Sequence, residues 1–174
     1  MFKKIYYKIK LSSELQKYDN KTPMFSLEDK VKLCKVVNIY DGDTCKVVFK
    51  LNNNICRWNI RMTGYDTPEM RPPRSQANRD EEIKAAKAAK AFLISKIMNE
   101  NQLVYIKCGK FDKYGRLLGE IYINKNDKKS INQIMIDEGH GYAYEGGTKK
   151  SFKVSAVEKF KFLYFMVKNV FFAK

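Results

Sequence analysis

Three short β-prone runs, Val36–Tyr40, Thr44–Leu51 and Ile55–Thr63, follow one another with only Asp41-Gly42-Asp43 and Asn52-Asn53-Asn54 between them. Val, Ile, Thr and aromatic residues favour the pleated backbone, and Asp-Gly and Asn clusters favour tight reversals. This stretch is expected to be a three-stranded meander. Two further β-prone segments, Leu103–Cys108 and Leu117–Ile123, flank the turn-rich Gly109–Gly115.

The spacing predicts a helix over Asn78–Met98, with Ala86, Ala89, Leu93 and Ile97 on one stripe. Asp80, Glu81 and Glu82 fall in its first turn, where the helix dipole favours anions, and Asn78 stands at the capping position. Ser130-Ile131-Asn132-Gln133 is a capping-box pattern opening a short helix that Gly139 would stop. A last helix is expected from Phe152 to about Asn169. Three strands, a helix, two strands and two more helices suit an α+β, mainly β, fold: a small five-stranded Greek-key barrel carrying three helices. Residues 1–30 show no clean periodicity and read as an N-terminal extension to a single domain over 31–174.

The 174 residues carry a formal charge of +15. Such a surface attracts polyanions, and charge alone leaves nucleic acid and anionic membrane both open. Cys34, Cys45, Cys56 and Cys108 form no CxxC pair and His140 is the only histidine, so a zinc site has little to build with. Met1–Lys10 lacks the apolar core of a signal peptide, so the thiols are expected to be reduced and the location intracellular, cytoplasmic or nuclear. The apolar run Phe162–Val167 is fenced by Lys161 and Lys168, far short of a membrane span. The aromatic C-terminal segment is read as docking on the core, with a protein groove or an anionic membrane surface as the other uses of its lysines. A monomer is expected.

Two acidic turns carry the candidate chemistry. Asp41-Gly42-Asp43-Thr44 is by itself an ordinary turn sequence. Asp66-Thr67-Pro68-Glu69 adds two carboxylates, with Pro68 biasing Thr67 toward an extended backbone. Together they offer Asp43, Asp66 and the Thr67 carbonyl to one hard cation, with Glu69 in reach of a water. Arg61 lies five positions before Asp66. On a straight strand the two would point to opposite faces about 17 Å apart; Gly64 is the residue that could supply the necessary bend. Asp112-Lys113-Tyr114-Gly115-Arg116 is a turn that delivers a second arginine, whose planar fork suits a phosphate. His140, beside the helix stop, reads as structural.

The motifs DGDT, RxxxxDTPE and DKYGR, in this order and spacing, resemble the staphylococcal nuclease (thermonuclease) family over about Val31–Tyr144. The resemblance implies an OB-fold barrel and a calcium-dependent phosphodiesterase acting on DNA or RNA. It implies that Asp43, Asp66 and the Thr67 carbonyl hold Ca2+, that Asp41 lies in the outer surroundings, and that Glu69 is the general base. Arg61 and Arg116 would bind phosphate, and Lys113, Tyr114, Tyr142 and Tyr144 would contact the nucleotide. Departure of the 5′ oxygen, giving 3′-phosphate products, is also implied. The loop Met70–Arg79 carries Arg71, Arg74 and Arg79 where lysines are common in the family, which bears on substrate preference. The alternative is a non-catalytic OB module that binds single strands through charge and stacking. A further one is a scaffold acting through its two terminal extensions.

Overall fold

The computed structural model describes residues 2–147, so the expected helix over Phe152–Asn169 lies outside the described residues. The elements run α1 (Phe2–Leu15), β1 (Val31–Ile39), β2 (Thr44–Leu51), β3 (Asn54–Met62), β4 (Tyr65–Asp66), α2 (Arg79–Ile97), β5 (Leu103–Phe111), β6 (Leu117–Tyr122), α3 (Ile131–Asp137) and β7 (Tyr142–Ala143).

β1, β2 and β3 form the meander, and Asn52 (φ 53°) makes the reversal before the Leu51–Asn54 pair. The strand order β1-β2-β3-β6-β5 closes into a barrel because β6 pairs parallel with β3 and β5 pairs antiparallel with β1. Alternation along β2 sends Cys45, Val47 and Phe49 inward, where they meet Val36, Ile60, Met62, Val104, Ile106, Leu117 and Ile121. α2 covers this core with the expected stripe of Ala86, Ala89, Leu93 and Ile97, joined by Phe92. Among the described residues no helix is long and apolar enough to cross a membrane.

Four local features differ from the sequence reading. Asn78 does not cap α2 with its side chain: its φ of −101° and ψ of 31° lie outside the extended region that aims an N-cap oxygen at the helix. Only half the capping box forms, since Ser130 Oγ accepts from the Gln133 amide at 3.2 Å while the Gln133 side chain turns to Asp137. The extension contains α1, whose Ile5, Tyr6, Ile9 and Leu15 are exposed, so local propensity carries this helix where no apolar stripe is buried. Leu27, from the same extension, is buried in the barrel core, and Asp29 donates to the Cys108 carbonyl.

Candidate active site

The site forms where the β1–β2 turn meets β3, β4 and the start of α2. The turn is held from within: the Asp43 amide donates to Asp41 Oδ1 at 3.2 Å and the Tyr40 amide to the Thr44 carbonyl at 2.9 Å. Gly42 is required for close packing, because a Cβ there would lie 2.8 Å from Thr67 Cγ2 and 2.9 Å from Ala89 Cβ. The turn is pinned to β3 by the Met62 amide on the Asp43 carbonyl, and to β4 by Tyr65 Oη on the Gly42 carbonyl, both 2.8 Å.

Gly64 supplies the bend that the Arg61–Asp66 spacing requires, at φ +81°. The chain reverses there into β4, which pairs with β7 as Tyr65–Ala143 and Asp66–Tyr142. The paired geometry brings Tyr142 Oη within 2.9 Å of Asp66 Oδ2. Burial, first, and then this bond and the nearby Asp66, Glu69 and Glu82 charges push the Tyr142 phenol well up, so it stays a donor.

Asp43 and Asp66 do converge, and Arg61 lies between them. Its Nη2 donates to Asp66 Oδ1 at 2.7 Å and to the Tyr65 carbonyl at 3.3 Å, while Nη1 pairs with Asp43 Oδ2. Thr44 Oγ1 and Thr67 Oγ1 donate to the two Asp43 oxygens at 2.8 and 3.2 Å. The guanidinium therefore sits at the centre of the acidic pair where the sequence placed it on one flank. The physical reason is charge: Asp66 has no exposed side-chain surface and Asp43 has 9%, and two such carboxylates need a compensating cation. Among the described residues no three His, Cys, Asp or Glu side chains group so as to hold a metal ion, so any cation here would draw on hydroxyl and main-chain oxygens beside the two carboxylates. The donors gathered here, the Asp43 and Asp66 carboxylates, the Thr44 and Thr67 hydroxyls and the Tyr65 carbonyl, are all oxygens, the donor type a hard cation takes.

Glu69 stands outside this pair on an exposed loop. Its amide donates to Glu82 Oε1 at 2.9 Å, and Gln76 Nε2 holds the other Glu82 oxygen. Glu82, only 5% exposed, ties the Glu69 loop to α2. Sequence reading missed it because a glutamate in a helix's first turn looks like a dipole residue; its signal is a carboxylate on the buried stripe, four positions before Ala86.

Arg116 ends the β5–β6 turn. Asp112 organises that turn by accepting from the Tyr114 and Arg116 amides, both 2.9 Å, and from Arg116 Nε at 2.7 Å. Burial raises the Asp112 carboxyl, but these bonds outweigh it and its pKa falls below the ordinary value. Lys113 and Arg116 both lie over the exposed Tyr114 ring, at 5.1 and 5.5 Å. Leu117 pairs with Ile60 and Leu118 with Arg61, so Arg116 enters the strand next to β3, two positions before the level of Arg61. Tyr144 Oη bonds the Gly147 carbonyl and its amide bonds Gly64. His140 stacks on Phe92, with ring centroids 4.1 Å apart.

A closed five-stranded OB-fold barrel with helices outside it, and an aspartate pair locked on an arginine at its mouth, defines a staphylococcal nuclease-like α+β domain. The family model described as Staphylococcal nuclease homologue matches residues 59–160, and the chain belongs to that family. It is 34% identical over 123 residues to "Endonuclease YncB" of Bacillus subtilis (strain 168), covering 66% of this chain and 53% of that protein. It is 36% identical over 112 residues to "SPbeta prophage-derived endonuclease YokF" of the same organism, covering 63% of this chain and 34% of that one. "Uncharacterized protein MJ1439" of Methanocaldococcus jannaschii is 30% identical over 124 residues, with 63% and 58% covered. The chain thus spans about half of the first relative and a third of the second.

Proposed function

We propose that this chain is a nuclease that hydrolyses phosphodiester bonds of DNA or RNA, with calcium as its cation. The observation that carries the reading is the meeting of Asp43, Asp66 and Arg61, from three separate elements, at one barrel mouth. Relatives named as endonucleases support it. A module that only binds nucleic acid has no use for buried carboxylates beside phosphate, where they repel the ligand unless a cation intervenes.

Asp43, Asp66 and the Thr67 carbonyl would hold the cation, which when bound supplies charge neutralisation and Lewis acidity at the phosphate. For those oxygens to be free to hold it, Arg61 would exchange carboxylate for phosphate oxygen, a swap that suits a fork able to serve either anion. A water then attacks phosphorus in line, Glu69 accepts its proton, and Arg61 and Arg116 stabilise the charge growing on the equatorial oxygens. The bond to the 5′ oxygen breaks, that oxygen takes a proton from solvent, and a 3′-phosphate remains. Glu82 fixes the loop that presents Glu69. Lys113 and Tyr114 would receive the neighbouring nucleotide, with Tyr142 and Tyr144 contacting it from the β7 side.

The test is degradation of labelled single- and double-stranded DNA and RNA, with calcium and with chelator, by the native chain and by Glu69→Gln. Calcium-dependent cutting is expected, with turnover reduced about 100-fold or more in the variant and oligonucleotide affinity retained. Native turnover in the variant would remove Glu69 from the mechanism, and no cutting of any substrate by the native chain would end the nuclease reading.

A further inference from the structure

The outward face of the meander is a second feature of the barrel that leads away from the site. Along β2, Thr44, Lys46, Val48 and Lys50 alternate with the buried Cys45, Val47 and Phe49 and so point outward. They pair across the ladder with Arg61, Asn59, Arg57 and Ile55 of β3. On the other side, Lys35 of β1 pairs with Val48. Lys35, Lys46, Lys50 and Arg57 therefore form a ribbon that begins at Arg61 and Arg116 and runs down the sheet. Thr44 to Lys50 spans about 20 Å.

No acidic side chain is interleaved in these register positions, and among the described residues none of the four cations forms an ion pair. Four like charges on adjacent strands repel one another. A polyanion laid along the ribbon would turn that repulsion into attraction and release its own counterions. Continuity with the phosphate-handling arginines selects a nucleic-acid strand over a bilayer; the exposed aliphatics of this face, Leu33 and Val37 beside Lys35 and Ile55 at the far end, are separated by the cations and make no continuous apolar face to insert.

We propose that Lys46, Arg57, Lys50 and Lys35 form an extended subsite that grips the backbone of a single strand beyond the cut phosphate. The proposal rests on the nuclease reading for its starting point, and it assigns the ribbon to phosphates, with no base readout.

The experiment is fluorescence anisotropy with labelled single strands of about 4 and about 12 nucleotides, within the range of OB-fold site sizes. The full chain carrying Glu69→Gln is used with calcium, so that binding is read without turnover. In that background the longer strand is expected to bind more tightly than the shorter. Adding Lys46→Gln, Lys50→Gln and Arg57→Gln should remove most of that advantage, leave the short strand's affinity unchanged, and lower the slope of log K against log salt by about 2, from 0.7 per lost phosphate contact. Lys50→Glu alone, at an exposed position, should act in the same direction if the triple variant folds poorly. A length advantage that survives both variants, or an equal loss for short and long strands, would overturn the proposal. So would loss of binding to phosphatidylserine vesicles in the triple variant with the length advantage intact, which would assign the ribbon to membrane. Failure of the nuclease reading registers separately, as length-dependent binding by a chain whose native form leaves both strands uncut.

Discussion

Replacing Arg61 by glutamine isolates what the guanidinium does for the fold when no cation is present. Arg61 is 12% exposed in its side chain, between Asp43 at 9% and Asp66 at 0%. Carboxylate oxygens on the two Nη atoms of one guanidinium lie roughly 5 Å apart, and their repulsion at an effective dielectric constant near 20 is about 3 kcal/mol. Removing one partner of a buried ion pair has a typical effect of about 3–5 kcal/mol, in agreement. For a chain of this size the loss corresponds to a fall in Tm of about 6–20 °C. Thermal unfolding followed by circular dichroism in chelator reads it directly. Calcium at one hundred times its Kd for Arg61→Gln should then stabilise that variant by about 2.7 kcal/mol, and the native chain by less at the same concentration, because there it must displace a guanidinium. A variant that melts with the native chain in chelator, or calcium that raises both by the same amount, would refute the reasoning.

Two further outcomes test the surroundings of the site. Glu82→Ala strips the acceptor from the Glu69 amide and from Gln76; kcat should fall about 100-fold through misplacement of Glu69, with calcium affinity held, and Glu82→Gln should recover most of it. A parallel loss of calcium affinity would show that Glu82 serves the cation. His140 is held below its ordinary value of 6.5, first by burial and then by Lys96 against the opposing Glu138. The unfolded chain takes up the proton more readily, so its share of stability is complete above pH 6.5 and declines as pH falls toward the lowered folded value. Comparing Tm between pH 8 and pH 5 for the native chain and His140→Gln should show a smaller drop in the variant; equal drops would exclude His140 as a source.

Sequence alone determined the barrel strands, the buried stripe of α2 and the stop at Gly139, because each is written in local periodicity and turn chemistry that burial then reinforces. It also located Asp43, Arg61, Asp66 and Arg116 on turns and strand ends, and the need for a bend at Gly64. The two-residue strands β4 and β7 were invisible, since nothing in so short a segment distinguishes a strand; only pairing between positions 66 and 142 creates them. Tertiary structure alone decided that Tyr142 would hold Asp66, that Glu82 would anchor the Glu69 loop, and that Arg61 would stand between the aspartates. Those relations depend on the balance of buried charge among groups far apart in the chain, and charge compensation at a distance leaves no mark on local sequence.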